Sequence, residues 1–422
     1  MTRYGSVTEK SATQHHPHDP KRRRINRYRA VTSSVGILCV ALAGATGTAS
    51  ATASDRQHGN TFKQVNLVSD VTTAHAAIID PAVKNPWGIA LGPDTPLWVD
   101  NQFNPASNCG SPDCVPAAAD LLTKITLYRG ANGIDPITKV PLEVTASSPF
   151  GIVFNPTSSF KVTQNGVKAP ARFLFNEVVP VQGVPVAEVT GWSNATTPPP
   201  TTTVTKARKP GAFQTGLALV PGKSKKDGRH GPRLLAADSA NGVIDVYDGK
   251  FKVVMKHHAF VDPHAARDKL APYNVTFLKG RVYVAYAPNG PDGTIAGAVS
   301  VFTAQGRFIK RLVTGGPLAG PWGMAIAPPH WGRFGGALLV GNVDTGKINA
   351  FNRRNGHLLG TLSDKHGKPL VNPGLWGLAF GNGTIGTPNT LLFAAGIGEE
   401  VGGFGEHVYE HGLVGLIKPI KD

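Results

Sequence analysis

The chain has 422 residues, with 43 Lys and Arg against 27 Asp and Glu and a formal charge of +16 at pH 7. A field of that sign favours anionic partners such as cell-wall polymers or acidic polysaccharide. The densest basic cluster, KSKKDGRHGPR from Lys223, has no aromatic residues interleaved with its charges, which excludes a single-strand nucleic-acid surface.

Residues 1–53 read as a disordered secretory signal with a long basic n-region. KRRRINRYR from Lys21 leads into an apolar stretch over 31–45 and then small residues to Ala53. The apolar part is too short to span a bilayer comfortably, so the mature chain is expected to have no transmembrane segment and to be secreted, after cleavage near Ala53. Cleavage there leaves 35 basic residues against 25 acidic ones, still a basic protein.

Residues 54–422 read as one domain built from a pattern that recurs six times. Each copy opens on a short apolar strand: NPWGIAL with Gly88, SPFGIVF with Gly151, FQTGLAL with Gly216, APYNVTF with Asn274, GPWGMAI with Gly323 and LWGLAF with Gly377. The intervals between these positions run from 49 to 65 residues. The glycine, or Asn274, is expected where a positive φ turns the chain into the innermost strand, or, at Gly323 and Gly377, where the backbone is tightly packed. Second strands follow at PLWVDN, RFLFNE, RLLAAD, RVYVAY, ALLVGN and TLLFAA, and third strands at KITLYR, AEVTGW, VIDVYD, AVSVFT, KINAFN and LVGLIK. Fourth strands are expected at LEVTA, TTVTK, KVVMKHH, IKRLVT and LLGTLS, but the sixth copy has none. FKQVNLVSD, from Phe62, stands unassigned before the first copy. Four short strands per unit with Gly, Asn and Asp turns define an all-β fold, a six-bladed β-propeller of four-stranded antiparallel blades. The N-terminal strand is expected to close the last blade, leaving no free edge.

Cys109 and Cys114 lie in a polar insertion of the first copy, and in an exported chain they are expected to form a short-loop disulfide. Polar residues recur at the ends of the second strands: Asp100 and Asn101, Asn176 and Glu177, Asp238, and Asn342. Glu410 and His411 precede the last third strand. Read as projecting toward one end of the central channel, these oxygens would suit one hard cation such as Ca2+, with Asp100, Asn101, Asn176, Asp238, Asn342, Glu410 and His411 as the metal set. The competing reading is that Asp and Asn end strands by capping the local turn. His407 to His411 spells H-x-x-E-H, but flanking glycines work against the helix that a zinc peptidase needs. No Ser/His/Asp set can be argued, and no catalytic residue is assigned.

The segments NPWGIALGPDTPLWVDN, NGVIDVYDGKF, APYNVTFLKGRVYVAYA, PWGMAIAPPHWGRFGGALLVGNVDTGKINAFN and EHGLVGLI, spread over nearly all of the mature chain, carry a family likeness. The sequence resembles an uncharacterised family of exported six-bladed propeller proteins, some of whose members carry a PEP-CTERM sorting tail. The resemblance implies fold and export and no activity. The chain departs from the family by the Cys-bearing insertion and by GEEVGGFGEHVY before His411. It ends without a sorting tail, so release is expected rather than anchoring of that type. More distantly the repeat is similar to NHL-type propellers, which include interaction modules and enzymes. The reading that fold, charge and signal support is a monomeric binding or scaffold module for an extracellular polymer, carbohydrate or protein. The alternative is a metal-dependent hydrolase or lyase of the lactonase-like propeller kind.

Overall fold

Alternating apolar and polar residues punctuated by Gly, Asn and Asp turns produce short antiparallel strands, and the six copies pack as six blades around an axis. The computed structural model describes residues 61–102, 122–222, 231–254, 259–288, 296–398, 400–401, 406–407 and 409–420. The signal-like leader, both cysteines of the expected disulfide and most of the basic cluster after Lys223 lie outside the described residues.

The inner strands are Pro86–Ala90, Pro149–Phe154, Gln214–Val220, Leu270–Leu278, Pro321–Ile326 and Leu375–Phe380, and each packs against the inner strand of the next blade until the sixth meets the first. Second and third strands follow outward in every blade by antiparallel hairpins. Outer strands are present at Val144–Ser147, Val204–Pro210, Phe308–Thr314 and Leu358–Thr361. In blade 3 three strands are described; of the segment expected as its fourth, residues 255–258 lie outside the described residues, while Val253 bridges to Tyr247 and the Val254 N–H donates to the Val246 carbonyl.

Ring closure follows the sequence reading. Phe62–Ser69 pairs antiparallel with His411–Pro419 and supplies the outer strand of blade 6. Phe62 anchors it from the side: its ring stacks 5.7 Å from Phe334 and lies 4.7 Å from Trp331, both in blade 5, and its N–H donates to the Ser363 carbonyl. A strand contributed from the far end of the chain thus removes the edge at which a six-bladed sheet array would otherwise open.

Of the two reasons expected for the opening glycines, the structure shows tight backbone packing and not positive φ. Gly88, Gly151, Gly216, Gly323 and Gly377 lie inside the inner strands and are absent from the positive-φ positions, as is Asn274. What they provide is close approach. A Cβ on Gly323 would stand 2.2 Å from the Trp376 carbonyl oxygen, one on Gly377 2.8 Å from the Trp87 oxygen, and one on Gly88 3.0 Å from the Ile152 nitrogen. In five blades backbone therefore packs on backbone around the axis, as a residue without a side chain permits, and in blade 4 the Asn274 side chain fills that place and donates to the Trp322 carbonyl.

Apolar side chains fill the seams between blades. Trp98, Ile125 and Leu127 of blade 1 meet Phe173, Phe175 and Trp192 of blade 2, with Trp98 stacked 4.2 Å from Phe173.

Candidate functional site

The six inner strands share an irregularity that creates the site. In every blade the pairing of the inner with the second strand shifts beside the glycine position: between Pro86 and Ile89, Pro149 and Gly151, Gln214 and Gly216, Pro272 and Asn274, Pro321 and Met324, and Leu375 and Leu378. Each shift leaves one extra residue on the inner strand, the signature of a β-bulge, which bends the strand and re-aims a side chain. The residues just before the glycine position are Trp87, Phe150, Thr215, Tyr273, Trp322 and Trp376, five of them aromatic.

These side chains meet on the axis. The Trp87 and Trp376 rings stack 3.5 Å apart at 15°, and Trp322 stands edge-on to both at 6.2 and 6.1 Å. Phe150 is edge-on to Trp87 at 4.8 Å, while Tyr273 and Tyr409 are edge-on to Trp376 at 6.1 and 6.0 Å. Residues after the glycines line a channel of about 600 Å³, while the aromatic residues before them floor a bowl of about 580 Å³. An aromatic layer therefore separates the two cavities, with Trp322 facing the channel.

The bowl is apolar with a polar rim. Its wall includes Val178, Pro180, Gly183 and Pro185 of the long blade 2 hairpin. Along one side runs a chain of hydrogen bonds: Trp376 Nε1 donates to Asn85 Oδ1 (3.2 Å), Asn85 Nδ2 to Gln102 Oε1 (2.7 Å), and Gln102 Nε2 to Ser148 Oγ (3.4 Å). Trp87 Nε1 is buried with no acceptor. Burial, with the Asp344 charge adding to it, pushes the Tyr409 phenol up to about 12 and Tyr273 higher still, so both stay protonated donors. Among the described residues, none of those lining the bowl is charged. The volume, the aromatic floor and the few convergent amides and hydroxyls are those of a small-ligand site.

The residues expected to form one cation site are not brought together. Successive strand residues face opposite sides of a blade, so Asp100 faces blade 2 while Asn101 turns the other way and donates to the Lys124 carbonyl and Thr126 Oγ1. Asp238 is occupied by Lys209, Asn241 and the Phe213 N–H. Asn342 accepts from the Ala319 N–H and donates to the Lys347 carbonyl and Asn349. In the same way Glu177 accepts from the Ser147 N–H. These three bonds share one logic: the end of the second strand clamps the segment leading into its own blade, while capping of the local turn is seen where Asp238 accepts from the Asn241 N–H. Glu410 is exposed, and His411 Nδ1 contacts Asp70 Oδ2 at 2.7 Å. Asn176 donates to the Gln214 carbonyl, and its own Oδ1 has no donor. The H-x-x-E-H stretch forms no helix among the described residues, since Glu406–His407 and His411–Pro419 are strands. Among the described residues no group of three or more His, Cys, Asp or Glu is placed to hold a metal.

Asp100 and Glu177 remain as a pair across the seam of blades 1 and 2. Asp100 is fully buried with both carboxyl oxygens lacking donors. Burial, with Glu177 adding to it, holds its pKa well above the ordinary range. Burial also pushes Glu177 up to about 7, against hydrogen bonds from Thr190, the Ser147 N–H and Thr203 that lower it.

No family model matches the chain. It is 29% identical over 360 residues to the uncharacterised protein R648 of Acanthamoeba polyphaga mimivirus, covering 82% of this chain and 80% of that protein. A second mimivirus protein, the uncharacterised R640, is 32% identical over 179 residues, 40% of this chain and 31% of its own length. Among solved structures, a glucose dehydrogenase is similar with a TM-score of 0.49 at 10% identity over 86% of this chain and all of that one, 100%. The soluble aldose sugar dehydrogenase of Escherichia coli gives 0.48 at 10% identity over 85% of this chain and 100% of that one. At these identities the structural likeness concerns the fold alone. Among the described residues no helix is long and apolar enough to cross a membrane.

Proposed function

We propose that this propeller is an exported binding module that takes an uncharged carbohydrate ring in the aromatic bowl. The observation that carries the reading is the composition of the bowl: stacked indoles and edge-on phenyl rings below, an amide and hydroxyl chain at the side, and no charge among the described lining residues. A sugar presents an apolar C–H face and a rim of hydroxyls. The first matches an aromatic face, and the second matches Asn85, Gln102, Ser148 and the protonated phenols. Among the described residues the bowl offers a polyanion no cation, which favours a neutral ligand. The basic leader supplies the export part of the reading, and the family likeness to exported propellers agrees with it.

Calorimetric titration of purified protein with neutral oligosaccharides and with matched uronate oligosaccharides tests this. Binding of the neutral set should be insensitive to salt. It should weaken at least tenfold in Phe213→Ala and Tyr409→Ala, whose half-buried rings stand at the edge of the aromatic cluster. Binding confined to uronates, with steep salt dependence and no effect of either variant, would place recognition on the basic exterior instead.

A further inference from the structure

We propose that the seam between blades 1 and 2 holds a hard cation, anchored by the Asp100 carboxylate and faced by Glu177 and Thr123. The argument begins with packing. At the register of Asp100 the other second strands carry Asn176, Ala237, Ala285, Gly341 and Ala394, so four of the six blades use Ala or Gly. The slot is tight: a Cβ on Gly341 would meet Leu375 Cδ2 at 3.1 Å, and Asp100 Oδ2 lies 2.8 Å from where a Cβ on Gly88 would be. Packing thus asks for a small apolar residue, and an acid stands there instead.

Strand parity shows what that acid faces. Trp98 and Asp100 alternate onto the same side of blade 1, and Phe175 and Glu177 onto the same side of blade 2. The Trp98 ring lies 4.2 Å from Phe173 and 6.3 Å from Phe175, so the side chains two residues further on meet at the head of the same seam. Thr123 comes to this side too, because Asp100 pairs with Ile125 and Thr123 is two residues before it. Its Oγ1 is buried without a partner, like both oxygens of Asp100. Glu177 keeps its bonds to the Ser147 N–H, Thr190 and Thr203 and still has lone pairs to offer. The one lysine beside this cluster in sequence, Lys124, lies on the opposite side of the strand and donates to Thr145.

Two facing acids and an unpartnered hydroxyl, with no Lys or Arg among the described residues bonded to either acid, form an oxygen-only pocket in which a cation would take the place of the acids' protons. That chemistry suits Ca2+ or a similar hard ion rather than zinc. The ion would also brace the bowl. Gln102, Ser148 and Val178 line it and follow directly, or within two residues, on Asp100, Ser147 and Glu177.

The test uses the full chain after chelator treatment, with Ca2+ in thermal melting and Tb3+ as a luminescent probe excited through the indoles, of which Trp98 lies in the seam. Saturating Ca2+ should raise Tm by about 4 °C, as expected for an ion that binds only the folded state. Tb3+ emission should saturate at one equivalent. Asp100→Ala places at this register the residue that blades 3, 4 and 6 already use, so it should fold and lose both responses; Glu177→Gln should weaken them at least tenfold. Should Asp100→Ala not fold, the near-isosteric Asp100→Asn carries the same comparison. A wild-type Tm unmoved by Ca2+ with no sensitised emission, or an undiminished response in the Asp100 variant, overturns the proposal.

Discussion

Replacing Gly323 by Ala adds one methyl group at the tightest of the blade-to-blade contacts made by the inner-strand glycines on backbone. The new Cβ would stand 2.2 Å from the Trp376 carbonyl oxygen and 2.8 Å from Leu378 Cγ, where ordinary contact begins at 3.4 Å. Relief needs the inner strands of blades 5 and 6 to part by about 1 Å. The obstacle is backbone, so no rotamer change provides it, and in a closed ring the displacement passes to the next seam. Overpacking of this kind costs about 1–3 kcal/mol, and the upper end applies here. For a domain of about 360 residues that corresponds to a loss of about 4 °C in Tm. Gly231 is the control, because a Cβ there meets nothing within 4 Å; Gly231→Ala should change stability by less than about 0.5 kcal/mol. Calorimetric melting and urea unfolding of the three proteins side by side give the comparison. Equal stability of Gly323→Ala and wild type would refute the close-approach account of the inner-strand glycines.

Phe62→Ala should cost about 3–5 kcal/mol, because it empties the slot between Trp331 and Phe334 that holds the closing strand, and a Tm within a degree of wild type would show that closure does not depend on that anchor. Asp80 gives a pH signature: burial raises its pKa, but hydrogen bonds from Lys139, Tyr128 and the Ala82 N–H outweigh that and hold it below the ordinary value of 3.8. Its folded pKa is depressed, so its contribution is present above about pH 4 and is lost as pH falls through the folded value. Asp80→Asn should therefore cost about 2 kcal/mol at neutral pH, with the gap to wild type closing in acid melts; a gap constant from pH 7 to pH 3 would contradict the assignment.

How much of this was legible in the sequence depends on which contacts decide each feature. The blades were legible because four strands per unit and their turns are local properties, and the closing strand because the sixth copy lacks a partner for LVGLIK. Of the outer strand of blade 3 only the start is described, where Val253 bridges to Tyr247 and the Val254 N–H donates to the Val246 carbonyl. The sequence singled out the glycines but left positive φ and tight packing both open, since the approach of the next blade is not a local property. The polar strand ends failed as a metal set by parity: Asp100 and Asn101 are neighbours in sequence and therefore face different seams. The bowl left a visible sign, an aromatic residue before the glycine position in five of six copies. Its meaning depends on the bulge, which exists only once two strands pair with one residue in excess.

The central claim is that the bowl is a carbohydrate site, and a crystal structure of the protein soaked with its tightest-binding neutral oligosaccharide tests it most directly. The account predicts a sugar ring resting on the Trp87, Phe150 and Trp376 cluster with hydroxyls bonded to Asn85, Gln102 or Ser148. Ligand bound elsewhere on the ring, with the bowl untouched, would contradict it.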